Sequence, residues 1–206
     1  MRYNKEKWIQ RSASRSDITG QVTHLTKRTK DEHAIEVLIK ILRARTLTGS
    51  TTASGFIVGN TPAVCFQESP LYSICQNCQY EAKDAKENNK EARYSAFGLM
   101  FQKDYIYNKG GRPVLYEDTD FAKKILPEDQ WWRIVRFDLS NSDSIIDWTH
   151  EREWRIPNNF KFDISKATII VPNPENYRVF YELSKVGGED VASKVRAVLS
   201  VGAVFL

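Results

Sequence analysis

The stretch Trp148-Thr149-His150-Glu151-Arg152-Glu153-Trp154-Arg155-Ile156-Pro157 decides how this chain is read. It sets acids and bases closely between two tryptophans. Read as a strand, its side chains alternate, so Glu151, Glu153 and Arg155 share one face while Arg152, Trp154 and Ile156 take the other. Same-face neighbours lie roughly 6.5–7 Å apart. That spacing suits a polar cleft in which one acid contacts a substrate hydroxyl and the other works nearby. The structural alternative is an edge strand with a salt-bridged outer face, or a helix end stopped by Pro157.

Outward from this segment, the composition sets bounds. The 206 residues fit one domain, and a hydrophobic content of 41% supplies a core in which five Trp weigh heavily. No apolar run approaches the ~20 residues that span a bilayer, and Met1 to Gln10 lack the apolar centre of a signal peptide. A cytoplasmic protein with no membrane partner is expected. The net charge of +4 is uneven: residues 1–45 hold eleven Lys and Arg against five Asp and Glu, which leaves the rest of the chain slightly acidic. A basic N-terminal third points to a polyanionic partner, nucleic acid first, although such charges also solubilise surfaces. The three cysteines are too few and too odd in number for a disulfide framework. Cys75 and Cys78 have metal-ligand spacing, but no second Cys-x-x-Cys exists and a structural zinc site needs four convergent ligands, so no metal is expected. Cys65, inside an apolar run, reads as a small core residue.

Residues 1–20 read as a basic arm with a short helix around Lys5–Arg11, and residues 21–206 as a single domain. Gln21 to Thr26 alternates as a strand. Thr29 and Glu32 have capping-box spacing before a helix carried by Ile35, Leu38, Ile39 and Leu42. Phe56–Val58 and Ala63–Phe66 read as strands, Ser69–Tyr72 as the start of an element, and Glu81–Arg93 as an exposed helix or loop. Ser95–Phe101 and Pro113–Tyr116 read as strands joined by a turn at Lys109–Arg112. Asp118–Leu126 reads as helical and Trp131–Phe137 as a strand. After the segment at 151–156 come a strand at Ala167–Val171, helices around Glu175–Val186 and Glu189–Ala197, and a closing strand at Ala203–Leu206. One early helix, many short strands and then mixed elements imply an α+β fold. No phosphate-binding loop or dinucleotide fingerprint is present.

Several of these pieces, in order, resemble a family. His24-Leu25-Thr26, the helix ending near Arg45, Val64-Cys65-Phe66 with Ser69-Pro70-Leu71-Tyr72, and Arg152 to Pro157 are similar to the layout of DarT-type ADP-ribosyltransferases, toxins that modify nucleic acid using NAD. Phe97 to Phe101, Gly111 to Tyr116 and Glu151 to Arg155 look more like the AbiGi group of abortive-infection proteins. The resemblance spans residues 20–175. It implies an ADP-ribosyltransferase-like core of two packed, mostly antiparallel sheets with peripheral helices. It also implies an enzyme of anti-phage defence that transfers ADP-ribose from NAD to RNA or single-stranded DNA, held in check by a cognate antitoxin protein.

Specific residues inherit roles from it. Glu153 would hold the nicotinamide-ribose hydroxyl and stabilise the oxocarbenium-like state. Glu151 would orient or deprotonate the acceptor. His24 would hydrogen-bond the adenosine ribose, with Thr26 supporting it. Tyr72 or Tyr94 would stack on nicotinamide, and Arg43 or Arg45 would reach the pyrophosphate. No middle residue of a transferase triad is evident. The expectation this carries is that His24 and Glu153 face one dinucleotide-sized cleft. Each residue also has a plainer reading: a strand histidine satisfied locally, helix-terminal arginines, packing tyrosines. Two other functions stay open. One is a non-catalytic abortive-infection or antitoxin partner with the same shape. The other is a metal-dependent nuclease using Asp147, Glu151 and Glu153.

Overall fold

Strand pairing turns on the alternation of Ala63–Gln67 and Glu153–Pro157, which run antiparallel with Cys65 opposite Arg155, Phe66 opposite Trp154 and Gln67 opposite Glu153. The computed structural model describes residues 2–204. In chain order the helices are α1 (Lys5–Ala13), α2 (Ala34–Ala44), α3 (Leu71–Glu87), α4 (Lys103–Asn108), α5 (Thr119–Ile125) and α6 (Pro174–Lys185). The strands are β1 (Gln21–Thr26), β2 (Thr46–Leu47), β3 (Ala63–Gln67), β4 (Phe97–Gln102), β5 (Arg112–Pro113), β6 (Leu115–Glu117), β7 (Ile134–Arg136), β8 (Glu153–Pro157), β9 (Phe160–Lys161), β10 (Thr168–Val171) and β11 (Ala197–Ser200). The fold is α+β. A seven-stranded sheet has the order β11-β10-β4-β1-β3-β8-β5, and β2-β9 and β6-β7 form two-stranded sheets. The large sheet is mixed, because β10 runs parallel to β11 and antiparallel to β4.

The chain forms two compact units. The first comprises Met1–Val22, Leu47–Ser69 and Gln102–Lys161. Part of its core is Ile57, Ala63 and Trp132, with Cys65 packed against them. Helix α1 is docked on this unit rather than loose: Lys5 pairs with Asp104 at 2.8 Å, and Arg152 donates to the Asp17 carbonyl. The second unit comprises Thr23–Thr46, Pro70–Phe101 and Phe162–Leu206. Ile74, Cys75, Cys78, Met100, Ile170 and Val201 make a core cluster there, so both cysteines of the Cys-x-x-Cys pair are buried on α3. In α2 the predicted stripe Ile35, Leu38, Ile39 and Leu42 is buried.

Several expectations are corrected. Thr29 and Glu32 close a turn of their own, and α2 begins after His33, whose amide donates to Glu36 at 2.7 Å. Phe56–Val58 is not a strand but part of a loop with left-handed Gly55 and Gly59. Helix α3 starts at Leu71, well ahead of Glu81. Helix α4 intervenes between β4 and β5, so Gly110–Gly111 is not a simple hairpin turn. Trp131–Trp132 lie in a 3-10 turn, because Pro127 starts one and both indoles bond to carbonyls behind them. Residues 189–196 are irregular and turn segments leading to β11, which takes Ala197: Gly187 and Gly188 are left-handed, and Asp190 accepts the Ser193 amide. Val201–Val204 forms a 3-10 turn where a closing strand was expected, and Phe205 and Leu206 lie outside the described residues.

Candidate active site

Glu153 and Arg155 lie two apart on β8 and so project to one face, with Cys65 and Gln67 of β3 opposite them on that face. Arg155 is only 2% exposed. Its Nε donates to Glu153 Oε1 at 2.7 Å and its Nη2 to Oε2 at 3.3 Å. Nη1 donates to the carbonyls of Trp132 at 2.8 Å and Ile134 at 3.1 Å, and Nη2 also to that of Phe56 at 3.0 Å. A guanidinium has five N–H donors, and here each has an acceptor. Burial is the largest single influence and works against the charge, but Glu153 and Cys65 together outweigh it, and the Arg155 pKa is raised. The result is a carboxylate held in one orientation by a two-point contact.

The surroundings of Glu153 are acidic and poorly hydrated. Its amide donates to the Tyr116 hydroxyl at 2.7 Å. Burial pushes the Tyr116 phenol up to about 12, with the charges of Glu153 and Glu151 adding to the effect. The Cys65 thiol is likewise pushed up, first by burial and then by Glu153. Glu151 is buried, but it does not extend the strand as expected. Thr149–Glu151 is a 3-10 turn closed by Asp147, whose carboxylate accepts both the amide and the hydroxyl of Thr149 at 2.9 and 2.6 Å. Arg152 is then left-handed, with φ 47°. Glu151 is therefore placed by a turn rather than by strand alternation, and the charges of both acids act on Tyr116 and Cys65. The Glu68 amide donates to the carbonyls of Glu151 and Arg152 at 3.2 Å, which ties that turn to the end of β3. On the other face of β8, Glu68 accepts from the Trp154 indole and from Lys103, each at 2.6 Å, and Lys103 also donates to the Thr19 carbonyl at 3.2 Å.

A carboxylate oxygen has more than one lone pair. Glu153, already paired with Arg155, retains acceptor capacity for a substrate hydroxyl.

The other predicted site residues fall in the second unit. His24 lies mid-strand in β1, and its carbonyl packs so closely on Gly98 that a Cβ there would collide with it. Thr26 is buried, and its hydroxyl donates to the Phe97 carbonyl at 3.1 Å. Arg43 donates to the carbonyls of Leu183 and Val186 at the end of α6. Arg45 is the left-handed cap of α2 and pairs with Glu189 at 2.8 Å. Tyr72 is exposed on the first turn of α3, and Tyr94 packs against the Ile74–Met100 cluster. Thr26, Arg43 and Arg45 thus have structural bonds within their own unit. Any bond they make to a ligand is additional to these.

Sequence reasoning missed Tyr116 and gave Cys65 only a packing role. Nothing local marks a tyrosine that meets an amide 37 residues away in the chain. A small cavity of about 160 Å³ lies in the second unit, lined by Tyr177, Tyr181, Asp190 and Ser193 among others. It is below the ~300 Å³ of an ordinary ligand pocket. Among the described residues, no group of three or more His, Cys, Asp or Glu is placed to hold a metal ion, and no helix is long and apolar enough to cross a membrane. Comparison of the chain with protein-family models, curated proteins and solved structures gave no match.

Proposed function

We propose that this protein is an NAD-dependent ADP-ribosyltransferase acting on nucleic acid, a toxin of anti-phage defence, with an ADP-ribosyltransferase-like core. The observation that supports it best is the buried Glu153 carboxylate, oriented at two points by Arg155 and flanked by Glu151 and Tyr116. In this reading Glu153 accepts a hydrogen bond from the nicotinamide-ribose hydroxyl and stabilises positive charge on the ribose as the bond to nicotinamide breaks. The acceptor base then bonds to the ribose carbon and loses a proton, for which Glu151 is the candidate general base. NAD is the donor substrate. His24, Thr26, Arg43, Arg45, Tyr72 and Tyr94 remain its candidate binding residues, each to be tested by its own substitution. A cognate antitoxin is the expected partner, and the basic N-terminal third steers the polyanion.

The test is incubation with labelled NAD and RNA, single-stranded DNA or cell lysate. Wild-type protein should transfer label, and Glu153→Gln, folded by thermal melting, should not. Expression of the wild type should be toxic and that of the variant tolerated. Absence of transfer to every acceptor sinks the proposal. One observation favours a second reading. The complete satisfaction of Arg155 is also what a purely structural clamp requires, and a non-catalytic antitoxin-like partner would keep it. NAD binding without turnover supports that reading. Activity that needs a divalent metal and no NAD supports the nuclease.

A further inference from the structure

Two arginines of the first unit stand near each other without an acid. Arg112 opens β5, in register with Arg155 of β8. Its Nη1 donates to the carbonyls of Tyr107 at 3.0 Å and Gly111 at 2.7 Å, and its guanidinium lies 4.0 Å from the centre of the Tyr107 ring. Arg133, at the end of the turn Glu128–Arg133, donates through Nε to the Pro113 carbonyl at 3.1 Å, next in the chain to Arg112. Both are half-buried. Among the described residues neither makes an ion pair. Arg155, Arg136 and Arg45 each do. Burial and the charge of Arg112 both pull the Arg133 pKa down, and no carboxylate offsets them.

Like charges held together in a partly desolvated place repel, and an anion relieves that repulsion. The backbone carbonyls and the Tyr107 ring fix both guanidiniums in place. They leave Nη2 of Arg112 and both terminal nitrogens of Arg133 with no protein acceptor among the described residues. One carboxylate is matched by one guanidinium, as Glu153 is by Arg155. Two guanidiniums match the several oxygens of a phosphate. We propose that Arg112 and Arg133 form a phosphate-binding fork on the outermost strand beside β8. Two substrates of the transferase reading carry phosphate, the pyrophosphate of NAD and the backbone of nucleic acid. The choice between them rests on that reading, whereas the site itself is tested without turnover.

The probe is pyrophosphate, compared with chloride at equal ionic strength, in thermal melts of wild type, Arg112→Gln, Arg133→Gln and the double variant. Pyrophosphate should raise the wild-type midpoint beyond chloride, and the increment should vanish in the double variant. The increment is read against each protein's own midpoint in chloride, because the double variant loses the hydrogen bonds to Tyr107, Gly111 and Pro113 along with the repulsion. An equal pyrophosphate increment in both proteins overturns the site. If the double variant does not fold, Arg112→Lys and Arg133→Lys keep the charge, lose the fork and should each retain only part of the increment. Binding of NAD and of a single-stranded oligonucleotide then identifies the source. The affected ligand should bind at least about tenfold more weakly. For the oligonucleotide, the slope of log affinity against log salt should also fall by about 0.7 for each phosphate that is no longer neutralised. Undiminished affinity for both ligands overturns the assignment to these substrates. Lost transferase activity with an intact pyrophosphate effect counts against the transferase reading and leaves the fork standing.

Discussion

At residue scale, the pairing of Glu153 with Arg155 has unequal consequences for its two members. Removing Arg155 strands a buried carboxylate, whereas Gln at 153 still offers Arg155 an oxygen. Arg155→Leu should therefore cost about 3–5 kcal/mol, and Glu153→Gln about 1–3 kcal/mol, as measured by urea unfolding. Equal costs would mean that Arg155 depends on the charge of Glu153 and that an amide oxygen there does not replace it. Tyr116 gives a pH dependence. Its phenol is raised from the ordinary 10.0 to about 12, so the folded state holds the proton more tightly than the unfolded chain. That stabilisation is complete below pH 10 and is lost as pH rises toward 12. Alkaline titration followed by tyrosinate absorbance and melting should show stability falling across that window. Tyr116→Phe should flatten the fall and lower stability at neutral pH, because the Glu153 amide is left without its acceptor.

At element scale, close backbone approach decides where strands can pack. At Gly98 of β4 a Cβ would collide with the carbonyl of His24 in β1. No side-chain rotation relieves a clash between backbone atoms, so Gly98→Ala should cost toward the upper end of about 1–3 kcal/mol. An unchanged melting midpoint would show that the strands shift freely. β8 makes a related point. Arg152 adopts left-handed geometry between the Asp147-closed turn and the strand, and this step, rather than strand alternation, sets the orientation of Glu151 relative to Glu153.

At the scale of the whole molecule, the N-terminal segment is part of the first unit rather than an appended arm. Lys103 donates to the Thr19 carbonyl at 3.2 Å and lies 5.7 Å from the centre of the Trp8 ring. Its partner Glu68 in turn holds the Trp154 indole of β8. Deleting residues 1–20 should lower the thermal midpoint by about 4–8 °C, the equivalent of removing a few hydrogen bonds. A detachable arm would leave the midpoint unchanged.

Local periodicity made α2, β1, β3, β10 and the body of α6 legible in advance, because helical and alternating patterns are written in the chain itself. The sequence also showed that Glu153 and Arg155 share a face, which follows from their spacing of two. It did not show what surrounds them. The carbonyls of Phe56, Trp132 and Ile134 that hold Arg155 belong to the backbone, and any residue would present the same oxygen there. The meeting of Tyr116 with the Glu153 amide, the turn that buries Glu151 and the acid-free pairing of Arg112 with Arg133 come from chain segments distant in sequence. Only tertiary structure decides them, because hydrogen bonds to the main chain leave no mark on side-chain identity.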